Sequence, residues 1–301
     1  MHRDFRIKDI PTLTKKTYSV WLGGDPWRSS AVIAYYSILS LPPLLVLLIN
    51  LVGVFYGTEI VQGRLTNEIA SVLGLDTAEF IQDMVTESLI EDKSTVSTIV
   101  GIAMLIFGAT GVFYQMQISL NQVWLVTEED KGKIKNIIID RARSFAFILT
   151  IGFLLLISFV LTALLSTFTE YLEFFFPDTM LVIAYLLDVI ISLGFITVLF
   201  ALMFKYLPDT KVTWHMVWKG AFISSALFAL GKYLLALYFS KLEPGSAYGA
   251  AGTVVLILLW VSYSSLILFF GAAFTKAYAD HYGLTLKKNN PDKTPEKEME
   301  K

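Results

Sequence analysis

The chain has 301 residues, of which 55% are hydrophobic and 17% charged. Soluble globular domains run about 45–50% apolar and about 25% charged, so this balance points to a membrane protein. A net charge of −2 excludes a strongly basic nucleic-acid binder, and the lack of cysteine excludes disulfides, thiolate zinc sites, iron–sulfur clusters and cysteine nucleophiles.

Residues 1–28 read as a basic, partly amphipathic N-terminal segment. They do not read as a signal peptide. Apolar sequence starts only at Ala31, runs too long for an h-region, and has no A-x-A-like cleavage site. Trp21 and Trp27 suit a membrane interface, where the indole buries its body and keeps its N–H wet.

A membrane-spanning helix needs ~20 mostly apolar residues. Six stretches qualify: Ser29–Gly57, Val96–Gln115, Ser144–Phe168, Met180–Phe204, Val212–Ser240 and Gly249–Tyr278. The first carries Pro42 and Pro43 near its centre. Each proline lacks an amide donor and clashes with the carbonyl four residues back, which releases the carbonyls of Ile38 and Leu39. In hydrocarbon such carbonyls need protein or a wet cavity beside them. One reading is a kink relieved by the hydroxyls of Ser37 and Ser40. The other is a discontinuous helix lining a substrate path, with Ser37, Ser40, Pro42, Pro43 and Asn50 along it.

Between the first two spans, Thr58–Thr95 is polar but has apolar residues at helical spacing: Ile60, Val61, Leu65, Ile69, then Phe80, Ile81, Met84, Val85. Gly74 is a C-cap for the first set, and Asp76 with Glu79 a capping-box start for the second. The expectation is a pair of acidic amphipathic helices lying on the membrane or covering the bundle. Charge bias gives the orientation. Of the 24 Lys and Arg, Arg64, Lys93 and Lys241 fall on one side, Lys232 lies within a span, and the remaining twenty fall on the N-terminal side. By the positive-inside rule both termini are cytoplasmic. Residues 283–301, rich in Lys, Glu, Pro and Asn, read as a disordered tail.

Apart from residues towards the cytoplasmic ends of the six stretches, Asp188 and Lys232 are the ionisable residues read as lying inside the membrane. Each is about eight residues from the outer end of its helix, roughly 12 Å deep at 1.5 Å per residue, so an intramembrane ion pair is expected. Ala184 and Ser192 flank Asp188 at helical spacing, and Ala221, Ser225 and Ala229 precede Lys232, small residues that admit close helix approach. A structural pair and an anion-binding lysine at the floor of an outward cavity are both open. No H-E-x-x-H, P-loop or G-x-S-x-G elbow is present, and the three histidines, His2, His215 and His281, are scattered, so no catalytic residue, metal site or cofactor is expected.

Several stretches resemble the YihY/virulence factor BrkB family, bacterial inner-membrane proteins formerly labelled ribonuclease BN. They are Ala34–Leu44; Thr110–Phe113 with Leu120–Trp124; Leu207-Pro208 with Lys211-Val212 and Trp214; Gly220-Ala221; and Tyr248–Gly252 running on to Leu259-Trp260 and Gly271-Ala272. Asn121, Trp124, Trp260 and Tyr263 are the polar and aromatic positions that the resemblance singles out. Ser262 stands where the family commonly has tyrosine, and Ala273 where it commonly has glutamate. The resemblance implies an all-α, polytopic protein of the cytoplasmic membrane, with six transmembrane helices across residues 29–282. The functional expectation is a transporter or binder of a lipid-like or amphiphilic solute, with membrane lipids as partners and no nucleic acid. A structural envelope protein with a protein partner is the alternative, and a tRNA-processing ribonuclease the third.

Overall fold

The computed structural model describes residues 7–89, 110–125, 142, 146–147, 149–154, 157, 177–242, 251–283 and 287–288. Among the described residues the regular structure is helical apart from one two-residue antiparallel ladder that pairs Thr210 with Lys288 and Lys211 with Lys287. The ladder ties the start of the C-terminal tail, expected to be disordered, to the loop before α8.

A short 3₁₀ turn, Ile7–Asp9, leads into α1, Ile10–Gly23, which has Pro11 in its first turn, where a missing amide costs nothing. Asp25, at φ 47°, turns the chain into α2, Pro26–Tyr56. Gly57 (φ 87°) ends α2 and Gly74 (φ 90°) ends α3, Thr58–Leu73; glycine takes such angles without Cβ strain. Helix α4 is Leu75–Leu89, so α3 and α4 form a hairpin about Gly74. Residues 110–123 belong to α5, and described helical positions from 142 to 157 to α6. Three long helices follow: α7, Pro177–Tyr206; α8, Trp214–Leu242; and α9, Gly252–Tyr282.

Helix α2 is helical throughout, including Pro42 and Pro43. The Ser40 hydroxyl donates to the Ser37 carbonyl at 3.2 Å. It therefore serves the carbonyl just before the two that the prolines release. Helix α5 runs on past the expected limit of the second span at Gln115.

Helix α9 is the central post. Helices α1, α2 and α8 pack along it, and α7 packs on α8. Buried Leu13, Ile33, Phe113, Leu120, Phe204 and Phe269 belong to the main core, where these elements meet. Where α8 crosses α9, a Cβ on Gly220 would lie 2.8 Å from the Gly271 carbonyl oxygen, so only glycine admits this approach. The α1–α2 turn at Gly24 touches Val123, while the Trp124 indole reaches the Ala272 carbonyl and the Phe204 ring. These contacts bring the ends of α5, α7 and α9 and the start of α8 to one end of the bundle, the basal end. The α3–α4 hairpin packs against α2 and against the opposite, distal parts of α8 and α9. Buried Leu73 and Ile81 of the hairpin share a cluster with Phe239 and Ile257. Val61 and Val85 pack with Ile49 and Val52 of α2. Glu59, Glu68, Asp76, Glu79 and Asp83 are on the exposed side.

Among the described residues, three helices are long and apolar enough to cross a membrane: Val189–Tyr206, Trp214–Phe239 and Gly252–Tyr282. Most of the second and third expected spans lies outside the described residues.

Candidate functional site

Two polar features stand out in this apolar bundle, one at each end. At the basal end, α7 stops at Tyr206 because Pro208 follows, and the loop folds Asp209 back onto α5. Its carboxylate accepts hydrogen bonds from Gln117 Nε2 (3.0 Å) and Asn121 Nδ2 (2.8 Å), and its backbone N–H donates to Asn121 Oδ1 (2.9 Å). Gln117 and Asn121 are buried, and buried amides of this kind need such partners. Lys205 donates to the Val212 carbonyl and Lys219 to the Tyr278 hydroxyl, so basic side chains close the same end. The arrangement is a clasp: these three bonds join the α7–α8 loop to α5. Such charge-assisted bonds are the stronger kind, and they fix the loop rather than leave a base for chemistry.

The distal feature is Lys232. It lies within the apolar stretch Trp214–Phe239, its side chain is 37% exposed, and its ammonium pairs at 3.4 Å with Glu68 of α3, itself 75% exposed. The expected partner, Asp188, is in α7, but its side chain lies outside the described residues, as do those of Pro42, Pro43 and Asn50. On the other side of α3 a crevice of about 10 Å³ runs between the hairpin and α2. Leu45, Ile49, Leu65, Ile69, Ile81 and Val85 line it together with Gln62, Thr66 and Gln82. That volume has room for about one water.

Trp260 is half-buried, edge-on to Phe228 at 5.5 Å and packed against the hairpin cluster. Tyr263 lies against Gly231, where a Cβ would be 2.1 Å from its hydroxyl oxygen. Trp124 is buried in the main core. Among the described residues no group of three or more His, Asp or Glu is placed to hold a metal ion.

A profile described as virulence factor BrkB matches residues 19–297, nearly the whole chain. The chain belongs to the virulence factor BrkB family. A UPF0761 membrane protein of Alteromonas mediterranea is 24% identical over 89% of this chain and 87% of its own length. One of Aeromonas salmonicida is 24% identical over 84% of each. One of Albidiferax ferrireducens is 32% identical over 57% of this chain and 39% of its own length. No solved structure matches. These relatives are membrane proteins by name, and this BrkB-family chain is an integral membrane protein.

The BrkB-like stretches quoted from the sequence meet at the basal end to a large degree. Leu120–Trp124, Leu207-Pro208, Gly220-Ala221 and Gly271-Ala272 all lie around the clasp and the α8–α9 crossing. Ala34–Leu44 instead runs up α2 towards the hairpin. Asp209 and Glu68 belong to no motif in the sequence. The Pro-Asp pair after an apolar helix is a turn signal that points to the first. Nothing in the spacing of Glu68 points to α8, 164 residues away.

Proposed function

We propose that this BrkB-family protein is a six-span protein of the cytoplasmic membrane, both termini cytoplasmic, that binds or moves a lipid-like or amphiphilic solute at its distal, extracytoplasmic side. Helix α8 supports the spanning reading. Trp218 near one end and Tyr238 near the other are exposed, about 30 Å apart along the helix, which matches the ~30 Å hydrocarbon thickness with an aromatic belt on each side. Arg28, Lys205, Lys219 and Lys276 gather at the basal end, as the positive-inside rule asks of a cytoplasmic face.

The observation that carries the solute reading is Lys232. A cation within a span is expensive and needs a role or a partner. Its described partner is a largely exposed carboxylate on a helix that is not a span, and exposed pairs contribute only ~0–1 kcal/mol. By this pair alone the ammonium is weakly held, and Tyr233, Leu234 and Leu237, exposed further round α8 at the same depth, add apolar surface for the tail of an anionic amphiphile. The crevice between the hairpin and α2 has room for about one water, so passage of a solute there requires α3 and α4 to part from α2. The exposed acidic faces of α3 and α4 favour a second reading, a scaffold whose hairpin binds a basic envelope partner. No observation favours the ribonuclease reading.

Purified protein in liposomes, challenged with a panel of phospholipids and amphiphilic solutes, tests this. The expected result is binding or translocation of an anionic amphiphile, reduced severalfold in Lys232→Gln. Absence of any binding together with a stable co-purifying protein would sink the solute reading in favour of the scaffold.

A further inference from the structure

Helix α5 divides its surface by chemistry. Phe113, Leu120 and Val123 share one side and are buried in the main core, with Val112 and Met116 packed against it. Thr110, Tyr114, Gln117 and Asn121 follow one another at helical spacing, which at 3.6 residues per turn keeps them within an arc of about 60°. That arc begins where the apolar side ends. Thr110, Gln117 and Asn121 are buried, and Tyr114 is half-buried. A row of hydroxyl, phenol and amide groups inside a membrane bundle is costly unless protein or water meets it.

The row has a defined mouth and a defined end. At the basal face Gln117 and Asn121 hold the Asp209 carboxylate, so an ionisable group closes it. From Asn121 to Thr110 the row rises about 16 Å at 1.5 Å per residue, half of the ~30 Å hydrocarbon thickness. At the upper end Gly111 brings α5 against the Tyr36 ring, where a Cβ would lie 2.9 Å from a ring carbon. The row therefore ends beside the turn of α2 that carries Ser37 and buried Ser40.

Hydroxyls and amides alone would serve to pack α5 against its neighbours. A carboxylate is costlier to desolvate. Here it belongs to the loop after Pro208 rather than to a second long helix, so its bonds can be released without moving a span. We propose that the polar row of α5 is the inner half of the solute path, a groove that takes water and the polar head of the solute from the basal face to the middle of the bundle, with the Asp209 clasp as its gate. This rests on the reading that a solute moves, with Lys232 at the distal end of the path and the row at the basal end. When the α7–α8 loop lifts, Gln117 and Asn121 offer their amides to the entering groups in place of Asp209, and Tyr114 and Thr110 continue the row upward.

The chain has no cysteine, so single-cysteine labelling needs no background removal. Thr110→Cys and Tyr114→Cys probe the row, and Val112→Cys and Met116→Cys probe the apolar side at matching heights. Each is made in the full chain with Asp209 intact and with Asp209→Ala, and is reconstituted in liposomes with a small cationic thiosulfonate reagent inside and outside. With the clasp intact all four should react slowly. In Asp209→Ala, Thr110→Cys and Tyr114→Cys should react about tenfold faster, the change that loss of one hydrogen bond to a charged group makes in an opening equilibrium, while Val112→Cys and Met116→Cys stay slow. A rise at all four, as general loosening gives, would overturn the proposal, as would a rise at none or fast reaction of the row with the clasp intact. The labelling uses no solute and the liposome binding test leaves α5 untouched, so the groove and the solute reading can fail separately.

Discussion

Replacing Gly220 by alanine probes the contact on which the basal half of the bundle rests. A Cβ there would lie 1.9 Å from Thr275 Oγ1 and 2.8 Å from the Gly271 carbonyl oxygen, both buried between α8 and α9. The hydroxyl cannot swing away freely, because it donates to the Gly271 carbonyl at 2.9 Å. The carbonyl is backbone, so relief requires the helices to separate, and the loss spreads to neighbours such as Ala221 and Ala272, which are fully buried. Overpacking of this kind costs about 1–3 kcal/mol, with backbone clashes at the upper end. Unfolding in mixed micelles by SDS titration, followed by tryptophan fluorescence, reads that loss as an earlier midpoint. Gly220→Ala combined with Thr275→Ala should recover part of it, since the hydroxyl clash disappears and the carbonyl clash stays. An unchanged midpoint for Gly220→Ala would refute the close α8–α9 approach.

Further expectations follow from the same geometry. Gly231→Ala places a methyl within 2.2 Å of the Tyr263 ring, so it should destabilise, less than Gly220→Ala because only a side chain has to shift, and Tyr263→Phe should not rescue it because the ring atom remains. Asn121→Ala removes two contacts to Asp209, one of them to a charged group, and should cost about 1.5–3 kcal/mol; Asp209→Ala added to it should cost less than Asp209→Ala alone, and full additivity in the same titration would argue against the clasp. Glu68→Ala and Lys232→Ala should each shift stability by less than about 1 kcal/mol, because both groups are partly solvated. A double-mutant cycle should nevertheless show coupling between Glu68 and Lys232. Coupling of Lys232 to Asp188 instead would restore the partner first read from the sequence.

The long elements were legible because their signals are local. Apolar length marks α7, α8 and α9 to within a few residues, and Gly57 and Gly74 punctuate α2, α3 and α4 where the backbone takes positive φ. The small residues before Lys232 also read correctly as packing positions: Ser225 is fully buried and meets Thr197 of α7 at 2.7 Å. What was not legible depends on contacts between distant segments. The Gly220–Gly271 crossing joins two ordinary-looking glycines, and Asp209 gains its role only when the loop folds onto α5. Lys232 announced a need for a partner, but which carboxylate meets it depends on where the hairpin docks. The double proline read either as a kink relieved by Ser37 and Ser40 or as a discontinuous helix; α2 is helical through both prolines, and the hairpin packs over a crevice beside it.

In the proposed function the distal side holds an anionic amphiphile through Lys232. Native mass spectrometry of the full chain released from lipid nanodiscs tests it most directly, comparing wild type with Lys232→Gln. The wild type should carry an anionic amphiphile adduct that the variant loses. The same adducts in the same proportion on both would contradict it.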